Sequence, residues 1–82
     1  MSNKSYYLFG ESSSEYYHQC YGSDISNEEM AFHINENFDY EIFMYDSEYN
    51  HPEDLLFEYD GWNGYATINE SLYNELLKFK NL

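Results

Sequence analysis

The sequence predicts a small α+β domain: an antiparallel sheet of 3-4 strands with two helices packed on one face. Three observations lead there. Two capping boxes, Ser26-Asn27-Glu28-Glu29 and Thr67-Ile68-Asn69-Glu70, each stand before apolar residues at helical spacing. Several short aromatic runs are bounded by glycine or polar clusters, as strands are. And 82 residues carry 6 Phe, 11 Tyr and 1 Trp, ring area that compensates for the thin core of so short a chain. The length suits one domain, residues 1–82.

The elements follow in order. Ser5–Phe9 (SYYLF) reads as a strand ended by Gly10, and Gly10–Ser14 as a turn. Glu15–Tyr21 (EYYHQCY) reads as a second strand in a hairpin with the first, with a short helix as the alternative. Gly22–Ile25 closes that unit. The first capping box opens a helix over Asn27–Asn37, with Met30, Ala31, Ile34 and Phe38 on its apolar stripe and Glu28 and Glu29 suiting the dipole of its first turn. Tyr40–Asp46 (YEIFMYD) reads as a strand with Ile42 and Met44 on one side. Glu48–Glu53 holds the lone proline and reads as a loop. Leu55–Tyr59 (LLFEY) is a strand or a short helix started by Pro52. Asp60–Gly64 carries an Asp-Gly turn signal. The second box then opens a helix near Ile68–Phe79, with Lys78 and Lys80 at the end where cations suit the dipole.

Charge narrows the function. Sixteen acids face three lysines and no arginine, a formal net charge of -13. All the acids, Glu11 to Glu75, lie between Lys4 and Lys78. Such an imbalance repels nucleic acid and anionic membranes and attracts basic surfaces. Asp39–Asp60 concentrates it, with eight carboxylates, four tyrosines and no lysine or arginine. Interspersed aliphatic and aromatic residues let this stretch fold, with Ile42, Met44, Leu55 and Leu56 the expected core anchors. Acidity also aids solubility, but solubility does not require excluding every base from the interior of a sequence.

Catalytic chemistry finds little to work with. His18, His33 and His51 are the candidate bases and Cys20 the candidate nucleophile. In a strand His18 and Cys20 would share a face, but no third partner or oxyanion motif accompanies them. A lone Cys forms no internal disulfide and behaves as a small hydrophobe, in keeping with a reducing cytoplasm. The N-terminus lacks signal-peptide character, and no stretch is apolar enough to span a bilayer. Asp46, Glu48 and Asn50 alternate like the opening of a calcium-binding hand, but His51 stands where that loop needs glycine and Phe57 where it needs glutamate. Zinc spacing is absent. No catalytic residue, metal ligand or cofactor is expected.

The carboxylates themselves remain. Asp39 and Glu41, Asp46 and Glu48, and Glu58 and Asp60 are each two apart. In strands such pairs project to one face, about 6.8 Å apart, close to twice the ~3.4 Å phosphate rise of one DNA strand. The expected partner-binding set is Asp39, Glu41, Asp46, Glu48, Glu53, Asp54, Glu58 and Asp60, ringed by Tyr45, Tyr49, Tyr59 and Trp62, which suit hot spots and stacking on arginine. Tyr6, Tyr7, Tyr40 and Tyr73 are placed in the core instead.

Those eight carboxylates, within a span free of Lys and Arg, give the chain its likeness. In composition, over most of its length, it resembles the acidic DNA-mimic inhibitors of phages and mobile elements, the anti-CRISPR and anti-restriction proteins. The resemblance implies a non-enzymatic inhibitor in the host cytoplasm. Such a protein evades host defence by occupying the basic nucleic-acid-binding surface of a CRISPR effector, restriction enzyme or nuclease, with no direct binding to nucleic acid or membrane. Bacterial immunity proteins, which block basic nuclease toxins, are similar in size and acidity and supply the alternative.

Overall fold

The computed structural model describes residues 4–46 and 64–80. Its elements are β1 (Lys4–Phe9), α1 (Glu11–Cys20), α2 (Asn27–Asn37), β2 (Glu41–Asp46), β3 (Tyr65–Ile68) and α3 (Glu70–Lys80). The sheet is antiparallel in the order β2-β1-β3. The predicted α+β class therefore holds, with three helices among the described residues where two were expected.

β1 is central and carries apolar side chains on both faces. Leu8 lies opposite Ile42 and Ala66, and Tyr6 opposite Met44 and Ile68. This row faces the helices, where Leu8, Ala66 and Ile68 join Tyr17 of α1, Met30, Ala31 and Ile34 of α2, and Leu72 and Leu76 of α3 in one core. Tyr6 packs its ring 4.6 Å from Tyr73. The other row is aromatic: the Phe9 ring lies 5.3 Å from Phe43 and 5.8 Å from Tyr65, and Tyr7 meets Tyr65 edge-on. Phe9 is fully buried and Tyr7 nearly so. Of the four tyrosines assigned to the core, Tyr7 and Tyr40 are buried, while Tyr6 and Tyr73 are half-buried against it.

The expected turn over Gly10–Ser14 and the preferred strand over Glu15–Tyr21 give way to one helix, so the helical alternative for the second segment holds. Gly10 does break β1, since its φ of 125° lies where side chains are strained. The chain then turns helical at once. Ser13 and Ser14 are buried one turn before Tyr17, so the inward face of α1 begins with serines rather than apolar residues. Their hydroxyls donate into the helix start, Ser13 Oγ to the carbonyls of Phe9 and Gly10 at 3.2 Å and Ser14 Oγ to that of Glu11 at 3.3 Å. Such local bonds satisfy the buried hydroxyls.

α2 matches its predicted bounds, and Ser26 Oγ accepts the Glu29 amide at 3.1 Å. The second capping box is displaced. Thr67 and Ile68 belong to β3, paired with Tyr7 and Tyr6, and Asn69 caps α3 by accepting the Leu72 amide at 2.7 Å. Asn27 at the start of α2 also donates to Asn69 Oδ1, at 3.2 Å. The sheet wins these two residues because pairing with β1 buries Ala66 and Ile68 almost completely. The loop at Glu48–Glu53, the element at Leu55–Tyr59 with Leu55 and Leu56, and residues 60–63 of the turn lie outside the described residues. Met44 was expected in the core; it lies on the helix-facing row but is 45% exposed, on a strand at the edge of the described sheet.

Two predictions follow from this packing. Asn69→Ala should cost about 1 kcal/mol in denaturant unfolding and Asn69→Ser only a fraction of that; equal losses would place the effect outside the cap. Burial raises the phenol pKa of Tyr17 and Tyr40 above the ordinary 10.0, with Tyr21 and Glu41 respectively adding to the shift. Each phenol holds its proton more tightly folded than unfolded. Its contribution to stability is full below pH 10.0 and is lost as pH rises through the folded value. An alkaline titration should show a late phenolate absorbance step coincident with loss of helical circular dichroism. Complete ionisation of the tyrosines with the helices intact would contradict it.

Candidate functional site

Only part of the expected binding set falls among the described residues. Asp39 is exposed and precedes β2, so it does not share a strand face with Glu41 as its spacing suggested. Its carbonyl lies 3.4 Å from Ser13 Oγ, as an alternative acceptor to those of Phe9 and Gly10 for the one hydroxyl proton, which brings the start of the acidic stretch against α1. Glu41 opens β2. Asp46 ends it, opposite Lys4, and Tyr45 lies opposite Ser5. Glu48, Tyr49, Glu53, Asp54, Glu58, Tyr59, Asp60 and Trp62 lie outside the described residues.

Lysines absent from the acidic span in sequence return to it in space. Lys80, in the last turn of α3, reaches across to the beginning of β2. Its Nζ donates to the Tyr40 carbonyl at 3.0 Å, lies 3.3 Å from the Glu41 carboxylate, and sits 4.7 Å over the Tyr40 ring. The Tyr40 hydroxyl donates in turn to Asn35 Oδ1 at 3.0 Å. Lys78 pairs one turn back with Glu75 at 3.0 Å. Glu41 and Glu75, each against a lysine, are half-buried. The other carboxylates whose burial is described (Glu11, Glu15, Asp24, Glu28, Glu29, Glu36, Asp39 and Glu70) are exposed. Among the described residues, negative charge thus faces solvent from all three helices as well as from Asp24 and Asp39.

Glu28 and Glu29 are the acids that sequence reasoning used only for the capping box and the dipole of α2. They belong also to a groove of about 940 Å³, which they line with Phe32 and His33 of α2 and with Phe79 of α3. The signal was present: once Met30, Ala31 and Ile34 define the buried stripe of α2, positions 28, 29, 32 and 33 must fall beside or outside it.

The histidine and cysteine are separated by the fold. Because residues 15–20 are helical, His18 and Cys20 do not face each other. His18 is exposed, with Nε2 3.4 Å from the Tyr65 carbonyl, and Cys20 is half-buried against the core. His33 stacks on Tyr16 with centroids 4.3 Å apart. Burial raises the Tyr16 phenol pKa above its ordinary value, with a hydrogen bond to Cys20 as the next cause. Among the described residues, no three His, Cys, Asp or Glu side chains converge as a metal site would need, and no helix is long and apolar enough to cross a membrane.

The Lys80 contacts are separable by mutation. Lys80→Gln should lower stability by about 1 kcal/mol, since it weakens a bond to a buried residue's carbonyl as well as an ion pair. Glu41→Gln should cost less than about 0.5 kcal/mol, the usual size of a solvent-accessible pair. Equal losses in the two variants would assign the whole effect to the ion pair.

No protein-family model matches the chain, and the searches of curated proteins and of solved structures found no match.

Proposed function

We propose that this chain is a non-enzymatic acidic inhibitor. It covers the basic nucleic-acid-binding surface of a host defence protein in the cytoplasm, as the anti-CRISPR and anti-restriction mimics do, by presenting carboxylates where phosphates would lie. The observation that carries the reading is how the few lysines are used. With a net charge of -13, Lys78 and Lys80 are each held against a carboxylate of the chain itself, while eight described acids face solvent. The charge left over is directed outward, from side chains based on the helices, on the connection between α1 and α2, and on the segment leading into β2. A basic cleft would meet an array held in place by the fold.

Electrostatic capture of this kind gives fast association that salt screens. A basic partner recovered from host lysate at low salt provides the assay. Its affinity should fall at least about tenfold between roughly 50 mM and 200 mM salt, and duplex nucleic acid should compete with the chain for the same site. Replacing Glu58 and Asp60 together by Gln and Asn should slow association more than it speeds dissociation. Affinity indifferent to salt, or simultaneous binding of duplex and chain to the partner, would sink the mimic reading.

A further inference from the structure

Three elements meet around a groove on the helical side of the molecule. Phe32 of α2 is 57% exposed, a large apolar side chain held at the surface of a very acidic protein. Its ring lies 6.4 Å from that of Phe79 on α3, and Tyr16 and Ile25 extend the apolar lining. The polar lining is mainly acidic. Glu28 and Glu29 are exposed on the α2 side. On the α3 side Lys78 is engaged by Glu75 at 3.0 Å, so the only lysine of the lining is already partnered. Three carboxylates against one ammonium leave the groove negative around an aromatic floor.

We propose that this groove seats a cationic amphipathic segment of a protein partner, with apolar side chains against Phe32 and Phe79 and arginine or lysine beside Glu28 and Glu29. The inference rests on the basic-partner reading above and adds a contact outside Asp39–Asp60. Charge complementarity selects the occupant. A second copy of this chain would bring another net charge of -13 to the groove, and phosphate-bearing surfaces are repelled by the same carboxylates. A cation beside exposed rings gains from their quadrupoles as well as from the acids.

The test uses three labelled peptides. One carries leucines on one helical face and arginines on the other. The second keeps the arginines but has serine for leucine, and the third keeps the leucines but has glutamate for arginine. The first should bind and shift the amide resonances of residues 25–33 and 75–79. Phe32→Ala should weaken it about tenfold, as expected for removing an aromatic anchor, and weaken the arginine–serine peptide far less, since that peptide loses only the cation–ring contact. Because Phe32 is exposed, this variant keeps the fold. The pair Glu28→Gln and Glu29→Gln should weaken both cationic peptides and flatten their salt dependence. If cationic peptides bind in a salt-sensitive way but ignore Phe32→Ala and shift other residues, the groove proposal fails and the basic-partner reading stands. If no cationic peptide binds at all, both fail. Equal binding of the glutamate peptide, or groove shifts that track the concentration of the protein alone, overturns the proposal in favour of an acidic or self-associating occupant.

Discussion

β1 is bonded along both edges, to β2 on one side and β3 on the other, and both partners come from far along the chain. Its backbone groups are satisfied only when those segments return to it, so the order of the sheet depends on this one strand. Its side chains impose a second condition. Leu8 needs the helices, and Phe9 needs the rings of Phe43 and Tyr65. A strand committed on both faces leaves little room for polar residues, which is why Tyr6–Phe9 reads as a run of rings and leucine. The same commitment moves charge outward. With the far face of the sheet given to rings and the helical face mainly to aliphatic residues, the exposed acids that are described collect on helix surfaces and in the connections.

That arrangement opposes folding through self-repulsion, because so many like charges are brought closer together than in the unfolded chain. The lysines are placed where they relieve it locally. Both cations of α3 lie in its last turn, at the negative end of the helix dipole. Lys80 combines four favourable contacts there: the dipole, the Tyr40 carbonyl, the Tyr40 ring and the Glu41 carboxylate. It therefore joins the end of the chain to the entry of β2. Lys78 and Lys80 thus pair with Glu75 and Glu41, and their ion pairs do not involve the exposed acids of α1 and α2.

Where local chemistry and tertiary packing agree, the sequence was legible. Ser26 caps α2 and Met30, Ala31 and Ile34 bury its stripe, so the helix emerged with its bounds correct. The placing of Ile42 and Met44 on one side of β2 was legible too, through the period-2 alternation of a strand. α1 was hidden because Ser13 and Ser14 occupy its buried face, and serines after glycine signal a turn when their burial is unknown. β3 was hidden by a competing local signal. Thr67 has the right spacing to cap a helix with Glu70, yet pairing across from Tyr7 holds it in the sheet, and Asn69 takes over the cap. For the candidate site, the charge was legible and its neutralisation was not: nothing in the order of residues places Lys80 beside Glu41. The groove needed α2 and α3 side by side before Phe32 and Phe79 could be seen as one surface.

Charge and groove answer different requirements of recognition. A field that reaches over a Debye length of about 8–10 Å accelerates encounter but discriminates weakly, because many basic proteins satisfy it. Discrimination comes from contacts that require desolvation and shape, and aromatic side chains supply these at small entropic cost. A protein with only an acidic surface would be captured by any polycation in the cell. In the proposed docking groove, Phe32 held open beside Glu28 and Glu29 changes that, because a partner would have to offer an apolar side chain at a fixed distance from its cation. The helix makes the distance fixed: positions 28 and 32 are one turn apart, so acid and ring move as a unit. On this reading the long-range charge sets how often a basic partner arrives, and the spacing along α2 sets which of those arrivals stay.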